Sequence, residues 1–330
     1  MTSPQLEEIQ KQRARATIVA AAAGDALGAN YAAQPDLLAA LGDGPVPFAT
    51  EGPWREGEWT SSTSMAVPLL KVINWLASDQ NSDESVHPLN WIVSGWKSLN
   101  LRNCGWRLDD LISSLGYPPA PVKNEPLFKQ CSYISRQQDV RDGRSDSSEA
   151  VARSVPVAIG FLGEGREAKM VGVATAMVRL TQSHPDVVEA AQLLSLALRS
   201  AILTGELNLL VHVDSLPYVS AQRKAFWKEK IAAAEKSTAE AFKDTNTTAV
   251  GALQAAIAAN AGAGDVKTVL EHAIRAGGEC NRVACLAGAL AGARTGSVPS
   301  DLREKIWGES VGPGTAEELE SLVNNVLNVE

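Results

Sequence analysis

Cysteine is scarce in this 330-residue chain. The four thiols, at positions 104, 131, 280 and 285, are too few and too scattered for a disulfide framework. They read as the reduced thiols of a cytoplasmic protein. Cys280 and Cys285 lie close together, but no second pair or nearby histidine completes a zinc pattern. Runs alternating apolar and polar residues are almost absent, which excludes a sheet-based architecture. Positive charge is also in deficit: 30 Lys and Arg stand against 38 Asp and Glu, for a net charge of −8. Nucleic acid is therefore excluded as a main partner, although a small anion is not. No apolar run is clean enough for a membrane span. The longest, Leu193 to Val213, is broken by Arg199, Glu206 and His212 and reads as a buried helix. The opening MTSPQLEEIQKQRAR carries acids and lacks an apolar stretch before a cleavage site, so no secretory leader is expected.

What is present points to helices around one large core. Apolar residues make up 45% of the chain and charged residues 21%, which excludes a disordered chain. Ser3-Pro4 reads as a helix start leading into an alanine-rich run that ends near Gly28. Helical spacing continues over Met65–Ser78, from His184-Pro185-Asp186 onward, and over Ala225–Lys243. It returns over Thr247–Ala261, Val266–Arg275, Val283–Ala293 and Thr315–Leu327. The fold class is all-α, compact and without repeats, one domain spanning 1–330. Ala32–Arg55 and Tyr117–Ser148 read as long loops. Six of the eight tryptophans fall between Trp54 and Trp106. They serve as large core side chains, or else Trp54 or Trp59 offers a stacking surface from loop sequence.

Four segments carry the chemistry. They are Gly24-Asp25-Ala26-Leu27-Gly28-Ala29, Trp59-Thr60-Ser61-Ser62-Thr63-Ser64, Leu180-Thr181-Gln182-Ser183-His184-Pro185, and Gly277-Gly278-Glu279-Cys280-Asn281-Arg282 running into a glycine-rich helix. Their order and spacing resemble the ADP-ribosylglycohydrolase family from about Thr17 to Arg294. The resemblance implies a compact all-α domain whose cleft holds two Mg²⁺ ions, bound by a Thr-Asp-Asp run and by an Asp-x-Asp followed by a hydroxyl after Gly-Gly. It also implies hydrolysis that removes ADP-ribose from protein side chains. Hard Mg²⁺ ions need several oxygen ligands, carboxylates above all, and polarise the ribose or the attacking water.

The chain departs from that pattern at nearly every ligand. Thr60 matches, but Ser61 and Ser62 stand where aspartates are usual. Glu279 replaces the first aspartate after Gly277-Gly278, Asn281 the second, and Arg282 takes the hydroxyl position. Ala32 aligns with an acid that handles the attacking water, and Gln182 replaces a histidine ahead of His184. An always-protonated guanidinium repels a metal pair carrying four positive charges. No dinuclear centre is expected, and no cofactor; if one ion is retained, Thr60 and Glu279 would hold it. Arg282 lies three residues after Glu279 and is expected to pair with it.

The site residues that follow are Thr60, Ser61, Ser62, Glu279, Asn281 and Arg282, with Gly143, Arg144 and Ser145 where the family carries a glycine-rich ligand loop, and His184. Glu279 is the one catalytic candidate. Ser147 or Ser148 is expected to cap the helix that Glu149 begins, His184 to serve as a helix cap or a ligand contact, and Asp25 to be structural. Three functions are open. The first is a catalytically impaired member, a pseudoenzyme, whose cleft binds ADP-ribose or a smaller anion. The second is an active hydrolase with a single-metal site acting on ADP-ribosylated protein. The third is an interaction module that docks a partner through the Trp-rich stretch or the 223–243 helix. In each case the protein is expected to be a cytoplasmic monomer without nucleic-acid or membrane binding.

Overall fold

A computed structural model of the chain describes residues 6–77, 87–102, 104–117, 124–310, 312 and 314–328. Its α-helices are, in order, α1 (Glu8–Ala33), α2 (Pro35–Ala40), α3 (Ser61–Ala77), α4 (Pro88–Ser98) and α5 (Trp106–Ser114). There follow α6 (Leu127–Asp142), α7 (Glu149–Arg153), α8 (Glu167–Arg179), α9 (Pro185–Thr204) and α10 (Ala221–Ala234). The last are α11 (Ala249–Asn260), α12 (Val266–Arg275), α13 (Cys280–Thr295), α14 (Ser300–Arg303) and α15 (Ala316–Leu327). Short 3-10 turns cover Val155–Phe161, Leu210–Ser215 and Ala239–Phe242. Only isolated bridges occur outside helices among the described residues, so the all-α expectation holds.

The centre of the molecule is the antiparallel pair α1 and α13, α1 buried from Ala16 to Tyr31 and α13 along most of its length. Small residues make this possible. A methyl added at Gly24 would overlap the Ala284 carbonyl, and one at Gly288 the Ala20 carbonyl. One at Gly28 would stand 2.6 Å from the Asn281 Cα. The helices thus meet backbone to backbone, closer than side chains allow in ordinary packing. This contact brings the Gly24–Ala29 motif against the start of α13.

Several expectations about element bounds need correction. Tyr117–Ser148 is no loop, because α6 fills half of it. The buried face of α6 carries Gln130, Cys131, Ile134, Ser135 and Gln138, so its stripe is largely polar and does not read as amphipathic. Their bonds go to distant partners: Gln138 Nε2 donates to the Arg107 carbonyl at 2.8 Å, while its Oε1 stays unpartnered, and Cys131 Sγ donates to the Leu180 carbonyl at 3.2 Å. The helix expected over Ala225–Lys243 begins at Ala221, capped by Ser220 Oγ, and stops at Ala234. The apolar run from Leu193 leaves the helix at Gly205, which takes a left-handed C-cap at φ 80°. α3 begins at Ser61, four residues before the expected Met65. The proposed cap Ser3-Pro4 lies outside the described residues; α1 opens with Glu7 and Gln10 in a reciprocal capping box. Trp54 and Trp59 are buried: the Arg102 guanidinium lies over the Trp54 ring, 4.7 Å from its centre, and the Trp59 indole donates to the Glu309 carbonyl.

Candidate functional site

Asp25 is fully buried on α1 and points at the start of α3. Its Oδ2 accepts from the Thr60 amide (3.0 Å), the Thr63 amide (3.1 Å) and Thr63 Oγ1 (2.8 Å). Its Oδ1 accepts from Thr60 Oγ1 at 2.6 Å and Asn281 Nδ2 at 3.3 Å. The carboxylate therefore caps α3 from another helix, where the helix N-terminus favours negative charge. Burial pushes its pKa up, and the hydrogen bonds from Thr60 and Thr63 oppose that rise. This is the structural role expected of Asp25.

The loop leading into α3 is pinned from the far end of the chain. Trp59 donates its amide to the Trp307 carbonyl at 2.8 Å, and Trp307 returns a bond to the Gly57 carbonyl at 3.0 Å. Ser61 and Ser62, standing side by side, diverge. Ser61 lines a cavity of about 340 Å³ with Thr60, Ser64, Asn100 and Arg102. Ser62 is buried and lines a small apolar cavity shared with Cys285.

The Gly277-Gly278 turn, with φ of 65° and 59°, is held by Asn246. Asn246 Nδ2 donates to the Gly277 carbonyl at 2.8 Å, and its Oδ1 accepts from the Glu279 amide at 3.0 Å. Beyond this turn, Asn281 donates to Asp25 and, at 3.4 Å, to Thr60 Oγ1. Its Oδ1 is buried and unpartnered. Arg282 pairs with Glu279 at 3.1 Å, as the spacing predicts, and with Glu149 at 3.2 Å. The second partner, 133 residues away, carries no local signal in the sequence.

The expected Ser147 or Ser148 cap is not made. Ser148 occupies the cap position of α7 without a side-chain bond, and its Oγ is buried and unpartnered. Gln182 does the work instead: its Oε1 accepts from the Ala150 amide at 2.9 Å. Its Nε2 donates to Ser145 Oγ (3.2 Å) and Ser147 Oγ (2.9 Å). The residue read as a lost histidine is a tie for the 145–150 segment. Gly143 is the exposed C-cap of α6 at φ 80°, and its carbonyl accepts from Arg107 at 2.8 Å. Arg144 faces a different opening, between α8 and α9. His184 caps α9, its Nδ1 accepting from the Asp186 amide at 3.2 Å. His87 does the same for α4 ahead of Pro88, so the His-Pro pair is a repeated helix-start device here.

The structure thus brings Thr60 and Asn281 together through Asp25, and sets Glu279 and Arg282 beside them with Glu149. This donor set does not fit two Mg²⁺ ions. Asp25 spends its oxygens on five donors, and Glu279 and Glu149 face a guanidinium. Among the described residues no three of His, Cys, Asp or Glu converge. The remaining oxygens are hydroxyls and one amide, too little charge for a hard dication pair.

Comparison with known proteins agrees with the fold. A model of the family described as ADP-ribosylglycohydrolase matches residues 6–330. A solved structure, described as an ADP-ribosylglycohydrolase-related protein complex, superposes with a TM-score of 0.63 at 18% identity, covering 98% of this chain and 99% of that one. A search of curated proteins finds no match. With the family pattern running through nearly every described helix, the chain belongs to the ADP-ribosylglycohydrolase family.

Proposed function

We propose that this protein is a member of the family without its Mg²⁺-dependent hydrolysis, a pseudoenzyme whose polar site is neutralised from within. One observation carries the reading: the Arg282 guanidinium lies between Glu279 and Glu149, at 3.1 and 3.2 Å. A fixed positive charge there substitutes for bound cations, and the two carboxylates balance it. Glu279, committed to that pair, has no second free carboxylate facing it, as a metal-free glycosidase would require. ADP-ribose or a smaller anion enters this site by displacing one carboxylate from Arg282, and Ser61 supplies a hydroxyl from the cavity it lines.

The test is turnover of ADP-ribosylated arginine and serine peptides, with Mg²⁺ and with EDTA. No release of ADP-ribose in either condition is the expected result. Release that EDTA abolishes would overturn the reading and restore the single-metal alternative. Thermal unfolding with millimolar ADP-ribose runs alongside. A ligand specific to the folded state adds about 2.7 kcal/mol at a hundred times its Kd.

A docking role is a second reading, favoured by exposed aromatics in the Trp-rich stretch. Trp91 and Trp106 are 60% and 62% exposed, and Arg107 and Arg141 flank the Trp106 ring. Exposed tryptophan beside arginine is characteristic of protein interfaces.

A further inference from the structure

A cavity roomier than the one beside Ser61 lies away from the Asp25–Thr60–Asn281 network. It is a groove of about 1030 Å³ between α8 and α9, walled on its outer side by the segment 212–219. It runs the length of α8, from Glu167 to Arg179, thirteen residues or about 20 Å.

Three independent features mark this groove as built for a ligand. The first is charge. Its carboxylates are already matched: Glu167 pairs with Arg199 at 2.7 Å, and Glu189 with Arg223 at 2.6 Å and the Trp227 indole. Arg144 and Arg179 are exposed and have no ion-pair partner among the described residues. Arg223 is shared by Asp186 and Glu189, so with Arg144 and Arg179 the end where α9 begins carries an excess of one positive charge.

The second feature is unmet hydrogen bonding. Gln192, only 5% exposed, lines the groove and donates to Thr175 Oγ1, but its Oε1 has no partner. His212 also lines it, and its Nε2 is buried and unpartnered. Buried polar atoms are nearly always satisfied, so these two await a partner.

The third is backbone strain at the mouth. Tyr218 holds φ at 57° while its side chain is fully exposed. An aromatic residue rarely adopts that conformation, and such strain gathers at ligand sites. Val219 and Ser220 lead from it to Arg223, which bonds Asp186 and Glu189, so Tyr218 stands at the same end as the free arginines.

The geometry points to an extended acidic peptide segment of a partner protein as the occupant. Six residues of extended chain span about 20 Å, the length of the groove. Gln192 Oε1 and His212 Nε2 are shut off from solvent, so each side chain turns to meet the N–H and the carbonyl that a peptide backbone supplies. Acidic side chains match Arg144 and Arg179, while alternate apolar side chains meet Val188, Leu196 and Leu203. An acyl chain with a carboxylate head would fit the length but leave Gln192 and His212 unmet along the floor.

The experiment measures fluorescence polarisation of a fluorescein-labelled hexapeptide alternating glutamate and leucine, titrated with the full chain. Saturable binding is expected, weakening at least tenfold in the R144A/R179A double variant and with rising salt. Both arginines are exposed, so an unchanged Tm is expected to accompany the loss. Gln192→Leu is the second variant, read by the same titration. The proposal is overturned if the hexapeptide does not bind, if its lysine-leucine counterpart binds equally, or if the double variant binds unchanged. It is also overturned if dodecanoate binds and the peptide does not, which would make the groove an acyl site.

Discussion

The polar cluster where α1, α3 and α13 meet and the groove between α8 and α9 are opposite solutions to polar groups inside a helical protein. In the cluster the charged groups are spent on neighbours, and only the Asn281 Oδ1 is left over: Asp25 takes five donors, and Arg282 takes two carboxylates. In the groove, two arginines, an amide oxygen and an imidazole nitrogen are left without partners among the described residues. A satisfied network stabilises and specifies a fold; an unsatisfied one is held ready for something else. The cluster lies nearer the first condition, and the groove the second.

That contrast is broken most sharply at Asp25. Asp25→Ala leaves five donors facing a void and is expected to cost about 4 kcal/mol, read as a lower midpoint in urea unfolding. Gly24→Ala comes next, at about 3 kcal/mol, because the added methyl drives α13 off α1. A Gly24→Ala protein as stable as the parent would show that the backbone contact is not as close as described.

Smaller effects sharpen the difference. Glu149→Gln removes one partner of Arg282 at the edge of the cluster, where partial exposure screens the pair, and should cost about 1 kcal/mol. In the groove, R144A/R179A should leave chemical stability within about 0.5 kcal/mol, since neither residue supports the fold. A larger loss there would make the arginines structural.

The smallest effect is a pH dependence at His212. Burial, then Arg199, hold its pKa below the ordinary 6.5. The folded state thus favours the neutral ring, and the stability this contributes is present above pH 6.5 and lost as pH falls through the lowered pKa. The Tm difference between the parent and His212→Gln should stay flat above pH 7 and shrink below 6.5. A flat difference down to pH 5 would show that the ring is not desolvated.

Much of this was legible in the sequence, in the places where chemistry is local. Helical spacing located α11, α12 and α15 to within a residue or two, and the start of α9. The i,i+3 spacing of Glu279 and Arg282 foretold their ion pair, and the position of His184 before Pro185 foretold its cap. What escaped depended on distant partners. α6 buries glutamines whose hydrogen bonds are made only outside the helix, so its polar stripe looks like loop sequence. Glu149 and Gln182 find their roles across 133 and 32 residues of chain. The groove was invisible for the same reason, because unpaired arginines are recognised only once every other charge has been placed.

The backbone contact of α1 with α13 also sets an order of events during synthesis. Asp25 and Asn281 are 256 residues apart, and at about 5–20 residues per second the ribosome takes roughly 13–50 s to deliver the second after the first. Through that interval the alanine-rich α1 has no partner for its glycine face, and Asp25 lacks one of its five donors. Although α1 leaves the ribosome long before α13, it is therefore among the last of the described helices to be buried. The nascent chain is a natural client for holdase chaperones, and any truncation before Cys280 leaves the centre of the fold without its second half.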